Sequence, residues 1–142
     1  KPDATIITME GATSIAETAR QNFKTLKLLQ GSPFGQNISI TEGNFDQTLS
    51  PAIAGIRSLD LAFIDGNHRR EPTERYFNQL LQTTHNDSIL IFDDIHWSAD
   101  MEQAWETIQQ HPAVRCTIDL FFIGIVLFRQ EFKEKQHFKI RF

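Results

Sequence analysis

The sequence is short of several things at once, and each shortage closes a class of explanation. Its 142 residues include a single cysteine, Cys116, so no internal disulfide can form. The fold therefore does not depend on an oxidising compartment, and a cytoplasmic setting is the expectation. Basic runs are missing too: nothing longer than Arg69-Arg70 occurs, and 14 Lys and Arg stand against 18 Asp and Glu for a net charge of -4. Gripping a polyanion calls for the opposite balance, so no nucleic acid partner is expected. The longest apolar run, Leu120 to Phe128, falls far short of the ~20 residues that cross a bilayer. No membrane partner is expected either. There is no internal repeat, linker or low-complexity tract.

What remains suits one globular domain, since ~100–200 residues per domain is usual. Residues 4–9 are β-branched and lack a helical period, which predicts a short buried strand ending at Glu10-Gly11. Thr13 or Ser14, with Glu17 in capping-box spacing from Ser14, opens a helix whose inner face is Ile15, Ala19, Phe23 and Leu26. Gly31, Ser32, Pro33 and Gly35 stop it. A strand follows at 37–41, then Glu42-Gly43-Asn44-Phe45 and a weak helix or turn up to Pro51. Residues 59–64 read as a strand running into Asp65-Gly66-Asn67-His68, where glycine can supply the turn conformation. A helix after Pro72 points Phe77, Leu80 and Leu81 inward, with Tyr76 beside them.

Residues 88–92 form another buried strand ending on Asp93-Asp94. Ser98 caps a helix with Met101, Ala104, Trp105 and Ile108 on one face, closed by His111-Pro112, with His111 placed as a helix-dipole partner. Val114 to Leu120 and Ile123 to Phe128 are too close for an intervening helix and predict an antiparallel pair. The tail, Glu131 to Phe142, reads as a final strand or an edge-covering segment. Strand and helix thus alternate through residue 111. That pattern implies a Rossmann-like α/β fold, doubly wound, with a mostly parallel sheet and a C-terminal antiparallel hairpin.

In such sheets ligands bind beyond the carboxyl ends of the strands. Those ends carry Glu10, Gly43-Asn44, Asp65 with His68, and Asp93-Asp94 followed by His96 and Trp97. Each has a plain structural reading as well: Glu10 as the first exposed residue past its strand, Asn44 as a turn residue, Asp65 as turn chemistry before Gly66, Asp93-Asp94 as helix-entry capping. Yet three carboxylates at neighbouring strand ends repel one another unless a cation or donors intervene. An oxygen-rich cluster of that kind suits a hard divalent metal such as Mg²⁺. His68, three residues beyond Asp65, is placed to take a proton from a substrate hydroxyl.

The segments Thr8-Met9-Glu10, Glu42-Gly43-Asn44-Phe45, Leu61 through His68, Ile91 through Trp97 and the closing hairpin, in that order, resemble the class I S-adenosylmethionine (SAM)-dependent methyltransferases. The similarity is to their small-molecule O-methyltransferase-like branch and runs over nearly the whole chain. It implies that Glu10 takes the ribose hydroxyls of SAM, that Gly43, Asn44 and Phe45 flank the adenine, and that Asp65 also lies against the cofactor. It implies further that Asp65, Asp93 and Asp94 hold Mg²⁺, that His68 and Asp65 are catalytic, and that the partner is a small-molecule acceptor. The family's first strand and glycine-rich turn have no counterpart before Thr5. That departure predicts a single truncated domain over residues 1–142 with impaired cofactor binding. It also predicts that the strands at residues 4–9 and 59–64 either have exposed edges, which offer a route to a homodimer, or close up on each other. A nicotinamide-dependent oxidoreductase, a receiver-like signalling domain and a non-enzymatic assembly domain share the alternating pattern and are the competing readings.

Overall fold

A computed structural model describes residues 4–26 and 38–141, folded as two compact units, 1–55 and 56–142. The expected helix stop at Gly31 to Gly35 and the strand start at Asn37 lie outside the described residues.

The first unit contains β1 (Ile6–Glu10), α1 (Thr13–Thr25), β2 (Ile38–Glu42) and α2 (Phe45–Ala54). β1 and β2 are parallel, in register from Ile6↔Ile38 to Glu10↔Glu42, so both strands end at the same level. α1 departs from expectation in two ways. Its N-cap is Ala12, with no side-chain cap; Thr13 instead directs its hydroxyl to Glu42. Its packed face runs through Ala16, Ala19 and Phe23, while Ile15 and Leu26 are exposed. The phase is set by Arg20 on that same face, whose guanidinium bonds Glu42 Oε2 at 2.7 Å. α2 runs past Pro51, where a turn is expected to end. Its Asn44 cap and the buried Leu49 and Ile53 hold it, although Pro51 removes one rung of the hydrogen-bond ladder.

The second unit holds β3 (Leu59–Ile64), α3 (Arg70–Leu80), a 3₁₀ turn at 81–83, β4 (Thr84–Phe92), α4 (Ala99–Gln110), β5 (Cys116–Asp119), β6 (Gly124–Leu127) and β7 (Gln136–Lys139). The sheet order is β3-β4-β6-β5-β7. β3/β4 and β5/β7 are parallel pairs, whereas β6 is antiparallel to both β4 and β5. β5 and β6 are the expected hairpin, and the tail resolves into an edge strand. Among the described strands β1 pairs only with β2, and β3 only with β4.

β4 begins four residues before the expected strand. Ser88 explains the extension: its hydroxyl donates to Leu59 O at 2.6 Å and accepts from His85 N–H at 2.7 Å, across a register shift in β3. The polar stretch Thr84 to Asp87 is thereby held in the ladder without an apolar pattern of its own.

The core of this unit is an aromatic chain across three elements. Phe77 on α3 lies 6.1 Å from Phe92 on β4, and Phe92 lies 6.5 Å from Trp105 on α4. Leu90, Ile95, Ile108, Val114 and Val126 fill in around it. Met101, Ala104, Trp105 and Ile108 form the buried face of α4, and Ser98 caps it through Met101 N–H, both as expected. His111 does not serve the helix dipole. It packs edge-on against Phe77 at 5.2 Å, and its Nδ1 accepts from Ala113 N–H. Burial and the nearby Lys135 lower its pKa, disfavouring the charged ring. Lys135 takes that role, donating to the carbonyls of Gln110 and His111 at 2.7 and 2.9 Å.

Gly124 is where the sheet lets Trp105 in. A Cβ there would stand 2.6 Å from Cη2 and 2.7 Å from Cζ3 of the buried indole, and 3.0 Å from Ile95. Gly124→Ala is therefore expected to lower stability by about 2 kcal/mol through overpacking, read as an earlier urea midpoint with unchanged slope.

Candidate functional site

In the first unit the site residues gather where β1 and β2 end together. Glu10 lies inward of the turn at Gly11, and its Oε1 accepts from Ala12 N–H at 2.8 Å, which fixes the carboxylate while leaving other lone pairs available. Gly43 N–H donates to Glu10 O at 3.0 Å, tying the two strand ends together. Gly43 adopts φ +135°, a region side chains resist, and a Cβ there would meet Thr48 at 3.0 Å. Asn44 behaves as the turn reading anticipates: its Oδ1 accepts from Asp46 N–H at 2.9 Å and caps α2. Phe45 begins α2 and is half-buried.

Glu42 was not among the expected site residues, although it closes β2 opposite Glu10. The Thr13 hydroxyl, and then Arg20, hold its carboxyl below the usual carboxylate range. It is therefore a structural anion that fixes α1 against the strand end. The same strand-end rule that selects Glu10 would have found it.

In the second unit β3 and β4 are parallel and end together at Ile64↔Phe92, so Asp65 and Asp93-Asp94 emerge side by side. Asp93 N–H continues the ladder to Ile64 O at 2.9 Å. Two residues here take left-handed backbone, Asn67 at φ 58° and Asp94 at φ 54°. The turn conformation expected of Gly66 thus falls on Asn67, a residue type that tolerates it. Asn67 is also tied to α3 by its amide, which donates to Tyr76 Oη at 3.3 Å.

The turn carries His68 between two carboxylates. Its Nε2 is 3.5 Å from Asp65 Oδ1 and its Nδ1 is 3.7 Å from Asp94 Oδ2. These separations allow charge attraction and lie just beyond hydrogen bonding. Trp97 is 71 % exposed and flanks the imidazole at 6.4 Å, so it does not anchor the loop by burial.

Asp93 plays a different part from the one expected. Its Oδ1 accepts from Asp94 N–H at 3.0 Å, a local bond that supports the left-handed residue. The metal triad of Asp65, Asp93 and Asp94 is accordingly not formed: among the described residues no three His, Cys, Asp or Glu side chains converge as ligands, and an imidazole stands between Asp65 and Asp94. The described residues do not fit Mg²⁺.

His96, the other histidine near the acid pair, turns away to Asp119 Oδ2 at 2.9 Å and Glu102 Oε1 at 3.1 Å. Asp119 ends β5 and is nearly buried, its Oδ1 accepting from Phe121 N–H at 2.9 Å. Burial pushes its pKa up, but the His96 and Phe121 hydrogen bonds and the charges of His96 and Lys139 outweigh this and hold it below the usual value.

A family model described as a methyltransferase domain matches residues 3–95. The chain belongs to this family. Comparison with curated protein sequences finds no match. Among solved structures, the methyltransferase chain is similar to the O-methyltransferase TomG from Streptomyces achromogenes, involved in tomaymycin synthesis and bound to SAM (16% identity, 91% of this chain and 64% of that one, TM-score 0.69). It is similar also to an O-methyltransferase from Bacillus cereus in complex with SAH (18% identity, 87% and 63%, TM-score 0.65). A third is an SAH-bound methyltransferase from Podospora anserina (16% identity, 89% and 61%, TM-score 0.68). At these identities the likeness establishes the Rossmann-like fold. The chain spans somewhat under two thirds of the length of each. No described helix is long and apolar enough to cross a membrane.

Proposed function

We propose that the methyltransferase domain moves a methyl group from SAM to a hydroxyl of a small molecule, with His68 as the base. The observation that carries this reading is the imidazole set between Asp65 and Asp94 at 3.5 and 3.7 Å. A neutral ring there offers one nitrogen lone pair to an acceptor hydroxyl, while a flanking carboxylate steadies the cation that forms. SAM supplies the electrophilic methyl group.

The chain's own work is to bind, orient and deprotonate. In this reading Glu10 accepts from the ribose hydroxyls with the lone pairs that Ala12 leaves unused. The Asn44 amide and the Phe45 ring meet the adenine, and Gly43 keeps the backbone between them open. Asp65 has two tasks, facing the cofactor and orienting His68. Both units, in this proposal, are parts of one Rossmann-like domain.

Calorimetry with SAH on the full-length protein tests the cofactor half of the proposal. Binding is expected, and Glu10→Gln should weaken it about 10- to 100-fold, the worth of hydrogen bonds to a charged group. Absence of SAH binding, or an unchanged affinity in the variant, would remove the assignment.

A further inference from the structure

Among the described residues three that are not glycine take left-handed backbone, and each stands in a turn beyond a strand end: Asn67 after β3, Asp94 after β4 and Phe121 after β5. β4 and β5 are both antiparallel to β6, so all three turns leave the same edge of the sheet. Asn and Asp tolerate this conformation, but for a bulky aromatic residue it is an outlier. At φ 75° Phe121 is the centre of a γ-turn, closed by Phe122 N–H donating to Leu120 O at 3.1 Å, and that turn is the strained one of its kind. Glycine would adopt it freely.

A strained residue persists where its contacts outweigh the strain. Phe121 N–H donates to Asp119 Oδ1 at 2.9 Å, its ring stacks on the His96 imidazole at 5.7 Å and 27°, and the Arg141 guanidinium lies over it at 5.2 Å. Those contacts lead to the loop that carries Asp94. Ile95 and His96 are the next two residues in the chain, and the turn grips both. Phe122 O accepts from Ile95 N–H at 3.2 Å, while the Phe121 ring covers His96, itself fixed by Asp119 and Glu102. On the other side of Ile95, Asp94 presents Oδ2 to His68 Nδ1 at 3.7 Å.

We infer that Phe121 is a positioning residue for the base: by gripping Ile95 and His96 from the turn after β5, it keeps the Asp94 carboxylate against His68. This rests on the reading of His68 as the base. Asp94 is itself left-handed, so the direction of its side chain follows the backbone on either side of it. Its N–H is tied back to Asp93 Oδ1, and Ile95 and His96 are tied forward to the Phe121 turn. Loosening the forward ties would let the carboxylate swing away from the imidazole.

Phe121→Gly in the full-length protein removes the ring while suiting the backbone of the turn. Hydrogen exchange at the Ile95 amide, followed in ¹H–¹⁵N spectra, is expected to speed up at least about tenfold. The kcat for methyl transfer to a phenolic acceptor should fall about 10- to 100-fold, the scale on which a displaced group slows an enzyme. SAH affinity should stay within about twofold, since nothing in the turn is assigned to the cofactor. Phe121→Tyr, which keeps the flat ring, should restore kcat and exchange; Phe121→Leu, which keeps apolar bulk without it, should not. Unchanged kcat in Phe121→Gly and Phe121→Leu would overturn the inference. So would a fall in SAH affinity matching the fall in kcat, which would make the turn a support of the fold alone. His68→Ala measured beside them keeps the two readings apart: full turnover there strikes the base itself, whereas an inactive His68→Ala with an active Phe121→Gly strikes only the role of Phe121.

Discussion

His68→Ala is expected to lower the rate of methyl transfer by about 10²–10⁴-fold, the usual worth of a positioned general base. SAH release from SAM with a phenolic acceptor reads this loss, and the affinity for SAH should change little, because His68 is assigned to the acceptor and not to the cofactor. The split between kcat and cofactor affinity is the informative part. A parallel fall in SAH affinity would make His68 a structural support for its turn. Equal activity in the variant would remove the base altogether. Chelation supplies the opposing test: if EDTA reproduces the loss in the unaltered protein, a metal and not the imidazole activates the acceptor.

Asp119→Asn is expected to cost about 3 kcal/mol, because it strips the charge from a nearly buried carboxylate that serves His96, Lys139 and the Phe121 N–H together. The pH dependence of that cost has a definite sign. Asp119 has a folded pKa below its unfolded one, so its contribution is complete above the unfolded value of about 3.9 and disappears as pH falls through the folded value. Urea midpoints of the two proteins should therefore differ at neutral pH and draw together below about pH 4. A gap that persists at low pH would mean that the side chain acts through shape and not charge.

Where the governing chemistry is local, these features could be read from the sequence. Ser98 as a cap, the apolar face of α4 and the hairpin of β5 and β6 all follow from spacing within a dozen residues. The strand ends at Glu10, Asp65 and Asp93 follow from an apolar run meeting a turn. Illegible features depend on distant partners. The rotation of α1 is set by Arg20 meeting Glu42, 22 residues away, so Ile15 and Leu26 have the spacing of core residues and are exposed all the same. β7 pairs with β5 as a parallel neighbour, which no periodicity in 131–142 announces.

Within the site the same division holds. Asp65, His68 and Asp94 are legible as residues, but their geometry rests on backbone: the left-handed conformation falls at Asn67 and Asp94, although Gly66 is the residue type that favours it most. Asp93 and Asp94 are indistinguishable as letters, yet one supports the turn and the other faces the imidazole. Asp119 carries no such signal, because its strand belongs to the hairpin and lies outside the rule that places ligands at parallel strand ends. β5 nonetheless runs parallel to β7 and ends on a carboxylate like the others.

Cys116, the single thiol in the sequence, sits at the start of β5 with 2 % of its surface exposed, and burial raises its pKa. A thiol both hidden and protonated is a poor nucleophile toward maleimides and iodoacetamides. The folded protein is thus a blank background for site-directed labelling: one cysteine placed on the surface, at the exposed Glu106 for instance, would be the reactive position, and a dye or spin label could be attached there without first removing the native residue.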